Sequence, residues 1–281
     1  LNIDTDDLNI YGPIVKTLIN KMSFQDHRGI FVEKLSGKFS YTKKQIKLEN
    51  LDLVTKESNL KGEIALNYDI DKGDFSYFTD KVEFVIQLDK ANLATNDIRC
   101  FYDELGKNQR FYVKGRIKGP LNNLKITNLK LVDSKKSQII GTLQFKNLFP
   151  NKDQEFYMDG KFAKLSTNYD DLVSILPNVL GKRLPVILKK LGQINLIGNT
   201  QVTTTSVEAS FEMKTQLGNV NSDLNIENMN FTDKAAYVGN VVLDDFDLGT
   251  FVAEKDLGKI SLNLDIDGQG FSYIHITLIY F

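Results

Sequence analysis

LKGEIALNY, the stretch from residue 60 to residue 68, decides the fold because its apolar and polar side chains alternate. Leu60, Ile64 and Leu66 are separated from one another by polar or small residues. In a β-strand, successive side chains point to opposite faces, so this stretch predicts a strand with one apolar and one polar face. Strands of this kind are typical of antiparallel sheets that have one face in water.

The same alternation recurs along most of the chain, with turn-forming residues between the runs. One hairpin is predicted directly, because the alternating segments 39–41 and 46–48 flank the polar residues 42–45. The other alternating runs are Val82, Phe84, Ile86 and Leu88; Phe111, Val113 and Ile117; Ile139, Gly141, Leu143 and Phe145; Phe156, Met158, Gly160 and Phe162; Val207, Ala209, Phe211 and Met213; Val220, Leu224 and Ile226; and Ile260, Leu262, Leu264 and Ile266.

The alternation slips by one residue at two places, Glu49–Asn50 and Thr127–Asn128. A slip would turn the apolar residues that follow it toward the polar face, unless the strand bulges or bends there. We therefore predict a bulge or a bend at each position. The two slips also belong to a loose internal repeat that begins at Gly37 and again at Gly115. Each unit consists of a glycine-containing strand, an Asn-Leu-x-Leu strand and a second glycine-containing strand.

Residues 169–191 break the pattern and predict two short helices. We divide the chain into β-repeats over residues 1–165, a helical insertion over 166–192 and further β-repeats over 193–281. The helices are expected to cover an end or an edge of the sheet, although a weakly basic helix on a membrane surface is the alternative. The helically spaced apolar residues are Leu172, Val173, Leu176, Val179, Leu180, Leu184, Ile187, Leu188 and Leu191, with Ser166 or Thr167 as the cap, Pro177 and Gly181 as interruptions, Pro185 in a first turn and Gly192 at the end.

The composition limits the functional classes. The chain has 281 residues, of which 42% are hydrophobic, and 35 basic residues balance 36 acidic ones to a net charge of −1. This composition argues against disorder and against a nucleic-acid partner. Cys100 is the only cysteine, so no intrachain disulfide can form, and we interpret it as a core or interface residue rather than a nucleophile.

Residues with catalytic or metal-binding chemistry are few. The two histidines, His27 and His275, lie near opposite ends of the chain without partners at metal-ligand spacing. The acidic segment 69–74 resembles a calcium loop, but its glycine is misplaced, so a hairpin turn is the better interpretation. The acidic segments 4–7 and 244–247 are likewise predicted to be strand ends or turns. We expect no catalytic residue, no metal and no cofactor, and therefore no enzyme.

Four stretches resemble a known family. They are FYVKGRIKGPLNNLKITNLKL at residues 111–131, YVGNVVLDDFDLGTF at 237–251, LGKISLNLDIDGQG at 257–270, and the segment from LSGKFSY at 35–41 to LKGEIAL at 60–66. Their glycine spacing resembles the strand repeats of the TamB and AsmA-like family, in the version found in Bacteroidota. The resemblance extends to about Phe271, and residues 272–281 depart from it.

The resemblance implies an all-β fold in which an elongated, twisted, mainly antiparallel sheet of roughly fifteen strands curls into an open hydrophobic groove. It also implies a periplasmic segment of an inner-membrane-anchored protein that moves phospholipids toward the outer membrane and supports outer-membrane biogenesis. Phospholipid acyl chains, and a partner that assembles outer-membrane β-barrels, are the expected partners. The candidate lipid-facing residues are Leu60, Ile64, Leu66, Phe84, Ile86, Leu143, Phe145, Phe211, Ile260 and Leu262.

Two alternatives stay open at this point. Alternating strands also build closed sandwiches, in which the apolar face meets a second sheet and binds nothing. The chain is alternatively a structural or chaperone-like module that pairs its free edge strands with incoming β-barrel proteins.

Overall fold

The computed structural model describes residues 1–103, 105–149, 154–175, 177, 184–231 and 233–270, whose strands form one antiparallel sheet. Each strand pairs with its neighbours in sequence, as expected when hairpins follow one another. The strands are β1 Asn2–Tyr11, β2 Ile14–Gln25, β3 Phe31–Tyr41, β4 Gln45–Thr55, β5 Asn59–Asn67, β6 Glu83–Ala94, β7 Arg110–Gly119, β8 Asn123–Asp133, β9 Gln138–Lys146, β10 Tyr157–Asn168, β11 Gln193–Thr203, β12 Val207–Lys214, β13 Asn219–Glu227, β14 Ala236–Asp247 and β15 Lys259–Gln269.

The all-β class and the strand number are confirmed, and all fifteen described strands lie in the same sheet. Within the described residues no second sheet faces it, so the sandwich alternative is wrong for this part of the chain. The predicted hairpin is also confirmed. Phe39 lies opposite Leu48 and Tyr41 opposite Ile46, and the Thr42 amide donates to the Gln45 carbonyl oxygen at 2.8 Å.

Both predicted bulges are confirmed. The pairing register shifts between Leu48 and Leu51, and again between Ile126 and Leu129. Asn50 and Asn128 adopt φ angles of 53° and 52°, a left-handed conformation that asparagine tolerates better than most residues. A Cβ atom on Gly37, in the strand next to the Asn50 bulge, would lie 2.7 Å from the Glu49 carbonyl oxygen. The glycine of the repeat therefore makes room for the bulge of the neighbouring strand.

Short helices occupy the longer connections. They are a 3-10 helix Asp74–Tyr77 followed by α1 Phe78–Lys81, then α2 Thr95–Ile98, α3 Tyr169–Ile175, a 3-10 helix Val186–Leu191, and α4 Leu248–Val252. The turn predicted at residues 69–74 is confirmed, and two short helices follow it, so residues 68–82 form one long connection between the antiparallel strands β5 and β6. Its carboxylates hold the backbone, since Asp74 accepts a hydrogen bond from the Asp69 amide at 2.7 Å.

The helical insertion begins later than predicted. β10 continues to Asn168, and the Asn168 side chain, rather than Ser166 or Thr167, accepts a hydrogen bond from the Asp171 amide at 2.9 Å. The second segment is a 3-10 helix, and Gly192 follows it with a φ of 65°. Leu176, Val179, Leu180, Gly181, Lys182 and Arg183 lie outside the described residues, as do residues 271–281.

Long and short connections alternate along the edge of the sheet where the even-numbered strands end. We call this edge the connector edge. Its long connections are residues 26–30, 95–109, 169–192 and 248–258. Each touches the next: the Arg28 guanidinium lies 4.0 Å from the Phe101 ring centre, the Gly106 amide donates to the Ile175 carbonyl oxygen, and the Lys190 ammonium donates to the Phe251 carbonyl oxygen. The connections thus recur every four strands and join into one continuous strip.

Two of the three short turns of the connector edge, those between β4 and β5 and between β8 and β9, are held to this strip by carboxylates. Asp97 in α2 accepts hydrogen bonds from the hydroxyls of Thr55 and Ser58 in the β4–β5 turn, at 2.6 and 2.5 Å. Asp171 in α3 accepts a hydrogen bond from the Ser137 hydroxyl in the β8–β9 turn, at 3.1 Å. Ser58, Ser137 and Asp171 are buried. Equivalent positions in successive four-strand units therefore use the same chemistry.

Asp97→Ala is expected to lower the free energy of unfolding by about 1–3 kcal/mol, because two hydroxyl donors, both on buried residues, would lose their acceptor. Urea unfolding followed by circular dichroism measures the change. Asp89→Ala is the control, since Asp89 lies in the adjoining strand β6 and is exposed. An equal effect of the two substitutions would contradict this role of Asp97.

Candidate functional site

The apolar side chains of the strands form continuous rows that cross the sheet. One row runs from β2 to β15 through directly opposed residues and contains apolar side chains alone. At about 4.8 Å per strand this row is about 60 Å long. We call it the long row. Its members are Met22, Leu35, Leu53, Leu60, Ala91, Val113, Leu131, Ile139, Leu165, Leu196, Met213, Val220, Leu243 and Leu262.

A second row lies on the same face and crosses from β3 to β15. Thr200 is its one polar member, and three members are glycine or alanine. We call the surface that carries both rows the apolar face. The members of this second row are Phe39, Leu48, Ile64, Ile86, Ile117, Ile126, Leu143, Gly160, Thr200, Ala209, Leu224, Gly239 and Ile266.

The structure places all ten candidate lipid-facing residues on the apolar face. Leu60 and Leu262 belong to the long row, and Ile64, Ile86 and Leu143 belong to the second row. The other five share this face because each lies two positions along its strand from a member of one of the rows. These are Leu66 opposite Phe84, Phe145 opposite Met158, Phe211 opposite Gly198, and Ile260 opposite Phe246.

The central apolar face is only partly shielded from solvent. Each of the ten candidate residues is half-buried. In a closed core, large apolar residues of this kind would be buried against a second layer. The apolar face therefore retains surface that another apolar group would stabilise by covering.

The connector edge covers one margin of the apolar face. Leu191, from the 3-10 helix that follows Pro185, packs with Ile194, Val220 and Phe246 in a buried cluster. Leu188 of the same 3-10 helix and Phe251 of the next connection pack against this cluster. The expectation that the segment 169–191 covers an end of the sheet is thus met by its described residues.

A cavity of about 340 Å³ lies under the connector edge at the other end of the sheet. Its walls combine strand residues of the apolar face, such as Leu53 and Leu60, with Ile98 of α2 and Phe101 beyond it. Arg28 in the β2–β3 turn also lines the cavity and contacts the Phe101 ring. This volume is at the lower end of the range for small-molecule sites.

Asp26 and Arg28, which line this cavity, stay charged at ordinary pH. The Arg28 guanidinium and backbone amide donate to the Asp26 carboxylate, which lowers the pKa of Asp26 to about 2. The same hydrogen bond raises the pKa of Arg28. Cys100 lies nearby, and partial burial raises the pKa of its thiol, which makes it a poorer nucleophile. This agrees with the interpretation of Cys100 as a packing residue.

The opposite surface carries the polar side chains, and we call it the polar face. A depression of about 580 Å³ lies on it among Lys47, Glu63, Gln87 and Arg116. This depression is larger than the cavity of about 340 Å³ under the connector edge. Such space between long charged side chains of both signs gives no defined set of groups for chemistry. Within the described residues no three His, Cys, Asp or Glu side chains are placed to hold a metal ion.

The histidines remain apart from these surfaces. The His27 ring is exposed beside Asp26, at 3.5 Å, and His275 lies outside the described residues.

Sequence reasoning found the apolar face from its periodicity. It missed the contribution of α2 and the β2–β3 turn to the cavity, because that contact joins residues more than 70 positions apart.

No protein-family model matches the chain, and neither a curated protein nor a solved structure matches it. The relation to the TamB and AsmA-like family therefore stays a prediction from the sequence. None of the helices described here combines the length and the apolar character needed to span a bilayer.

Proposed function

We propose that this chain is a segment of a lipid-transfer protein of the cell envelope, related to the TamB and AsmA-like family. In this proposal the apolar face binds phospholipid acyl chains and carries them along the sheet between the inner and outer membranes. The surrounding protein is anchored in the inner membrane, and this segment lies in the periplasm. The observation that carries the proposal is the long row, which stays apolar over fourteen strands and whose members, apart from the buried Ala91 and Val220, are half-exposed.

The physical chemistry of such a face suits movement rather than fixed binding. Each methylene group removed from water contributes about 0.8 kcal/mol, whichever apolar side chain it contacts. Because the long row has no polar interruption, an acyl chain that leaves one pair of strands meets an equally apolar surface at the next. Transfer of this kind requires no catalytic residue.

Mass spectrometry of lipids that remain with the purified segment, after expression in a Gram-negative host, tests the proposal. We expect phospholipid in a fixed molar ratio to the protein, retained through size-exclusion chromatography. A folded protein that carries no lipid and does not take up phospholipid from vesicles would contradict the proposal.

The second candidate function is assembly of β-barrel proteins by strand addition. It is favoured by β1, whose outer backbone edge has no partner among the described residues. Ile3, Leu8 and Ile10 of β1 are 56–63% exposed. Unpaired strand edges with exposed apolar side chains are the usual acceptors for an added strand.

The two functions depend on different parts of the sheet, so substitutions separate them. Leu262→Asp is expected to reduce lipid retention and to spare strand pairing, because it changes a side chain of the long row and leaves the backbone of β1 unchanged. Asp4→Pro is expected to do the reverse, since proline removes a backbone donor from the edge strand and Asp4, opposite Lys21, lies away from the apolar face. Lipid retention and crosslinking to an unfolded β-barrel protein are the two measurements. Equal loss of both activities in a folded variant would remove the distinction.

A further inference from the structure

The polar face contains a concentrated group of cations, most of which have no ionic partner among the described residues. Residues 110–133, which form β7 and β8, include six Lys or Arg and one acidic residue, giving a net charge of +5. Lys114 lies directly opposite Lys130, and Lys118 directly opposite Lys125. Like charges in directly opposed positions destabilise a sheet. We call Lys114, Arg116, Lys118, Lys125 and Lys130 the basic patch, and all five are exposed.

Elsewhere the same face pairs opposite charges. Lys34 and Asp52 on neighbouring strands lie 2.7 Å apart, as do Lys259 and Asp245. In the basic patch only Lys118 has an ionic partner among the described residues, Glu83 at 3.7 Å. The fold thus supplies counter-charges across other strand pairs and leaves them out at β7–β8.

The C-terminal strands carry the complementary charge. Residues 207–269 contain twelve acidic residues and four lysines, giving a net charge of −8. We call Glu208, Glu212, Asp223, Asp244, Asp265 and Asp267 the acidic patch. All six are exposed on the polar face, and none has a Lys or Arg partner within 4.0 Å among the described residues. Their cross-strand partners are mostly neutral, as where Asn240 donates to Asp265 at 2.8 Å.

We propose that the basic patch of one copy of this chain docks on the acidic patch of a second copy. Each patch supplies the charge that the other lacks, and apart from Lys118 none of their eleven side chains has an ionic partner among the described residues. The proposal does not rest on the lipid-transfer function, because it uses the polar face and leaves the apolar face free. Charge complementarity of this kind sets partner orientation and speeds association.

The docking is head to tail. The two patches are centred about six strands apart in the sheet order. Antiparallel sheets twist by roughly 20–25° per strand, so surfaces that far apart point in different directions. A single partner therefore does not cover both patches, and each copy keeps one patch for the next copy. Such contacts build open chains rather than closed dimers.

Charge-swapped variants test the proposal. The first variant is Lys114→Glu with Lys125→Glu and Lys130→Glu, and the second is Glu208→Lys with Glu212→Lys and Asp223→Lys. Wild-type protein is expected to self-associate in sedimentation velocity at about 0.01 M ionic strength and to dissociate at about 1 M, where the Debye length falls from about 30 Å to about 3 Å. Each variant alone is expected to stay monomeric, and an equimolar mixture of the two is expected to associate again.

Association of the mixture would show that neither variant stayed monomeric because it had unfolded. Circular dichroism checks that both variants are folded. If a variant does not fold, Lys114→Gln with Lys130→Gln takes its place and is expected to weaken wild-type association at least tenfold. Monomeric wild-type protein at the lower ionic strength would overturn the proposal. So would failure of the folded mixture to associate. Binding of the monomer through the basic patch to phosphatidylglycerol vesicles, without self-association, would assign that patch to an anionic membrane instead.

Discussion

Leu143→Asp is expected to lower the affinity for phospholipid more than a hundredfold while the sheet still forms. Leu143 lies in the second row of the apolar face, between Ile126 and Gly160 of the neighbouring strands. A carboxylate there keeps its water and prevents the acyl chain from covering the surrounding surface. If three to four methylene groups stay hydrated at about 0.8 kcal/mol each, binding loses about 3 kcal/mol.

Thr142→Asp is the matched control for this experiment. Thr142 is the preceding residue of the same strand, its side chain points to the polar face, and its cross-strand partner is Lys161. The added charge is the same, but it meets a cation and water rather than an acyl chain. Lipid retention and uptake of a fluorescent phospholipid should separate the two variants. Equal loss in both, or no loss in either, would show that lipid does not lie on this face.

Gly62→Ala is expected to lower the free energy of unfolding by about 3 kcal/mol or more. Gly62 adopts a φ of 158°, and a Cβ atom there would lie 1.9 Å from the carbonyl oxygen of Gln87 in β6. That oxygen belongs to the backbone, so no side-chain rotation relieves the clash. The strands must separate at this point, which adds strain to the loss of ladder hydrogen bonds.

Urea unfolding compares Gly62→Ala with Gly258→Ala. A Cβ atom at Gly258 would meet nothing within 4 Å, so this variant should unfold close to the wild-type midpoint. If the two variants unfolded at the same urea concentration, the close approach of β5 and β6 would not be a determinant of stability.

The strands and their common face followed from the sequence because period-two alternation reports the geometry of a pleated strand directly. The same reasoning located the bulges at Asn50 and Asn128, since a single extra residue shifts the phase of every apolar residue after it. The prediction of a strand end or a turn at residues 4–7 was wrong. These residues lie inside β1, where Asp4 is opposite Lys21 and the carboxylates of the edge strand stay exposed to water.

The parts that sequence reasoning missed depend on contacts between distant residues. Neither Asp97 nor Ser58 carries a local signal of their hydrogen bond, because they lie 39 positions apart. The four-strand recurrence of the connector edge was hidden for the same reason. Its connections share a position and a contact pattern, while their sequences and lengths differ. The contact between Arg28 and Phe101, which both line the cavity, was likewise not predictable from local pattern.

The order of strands has a consequence for how such a protein changes in length. Since each strand depends on the two beside it, an added or deleted pair of strands leaves strand direction and the identity of both faces unaltered. The sheet can therefore grow or shrink in steps of about 10 Å without a redesign of the remainder. The connector edge favours a larger change in sheet length, because its carboxylate hydrogen bonds recur only every fourth strand. Duplication of whole four-strand units, about 20 Å each, is the change that would preserve every contact described above.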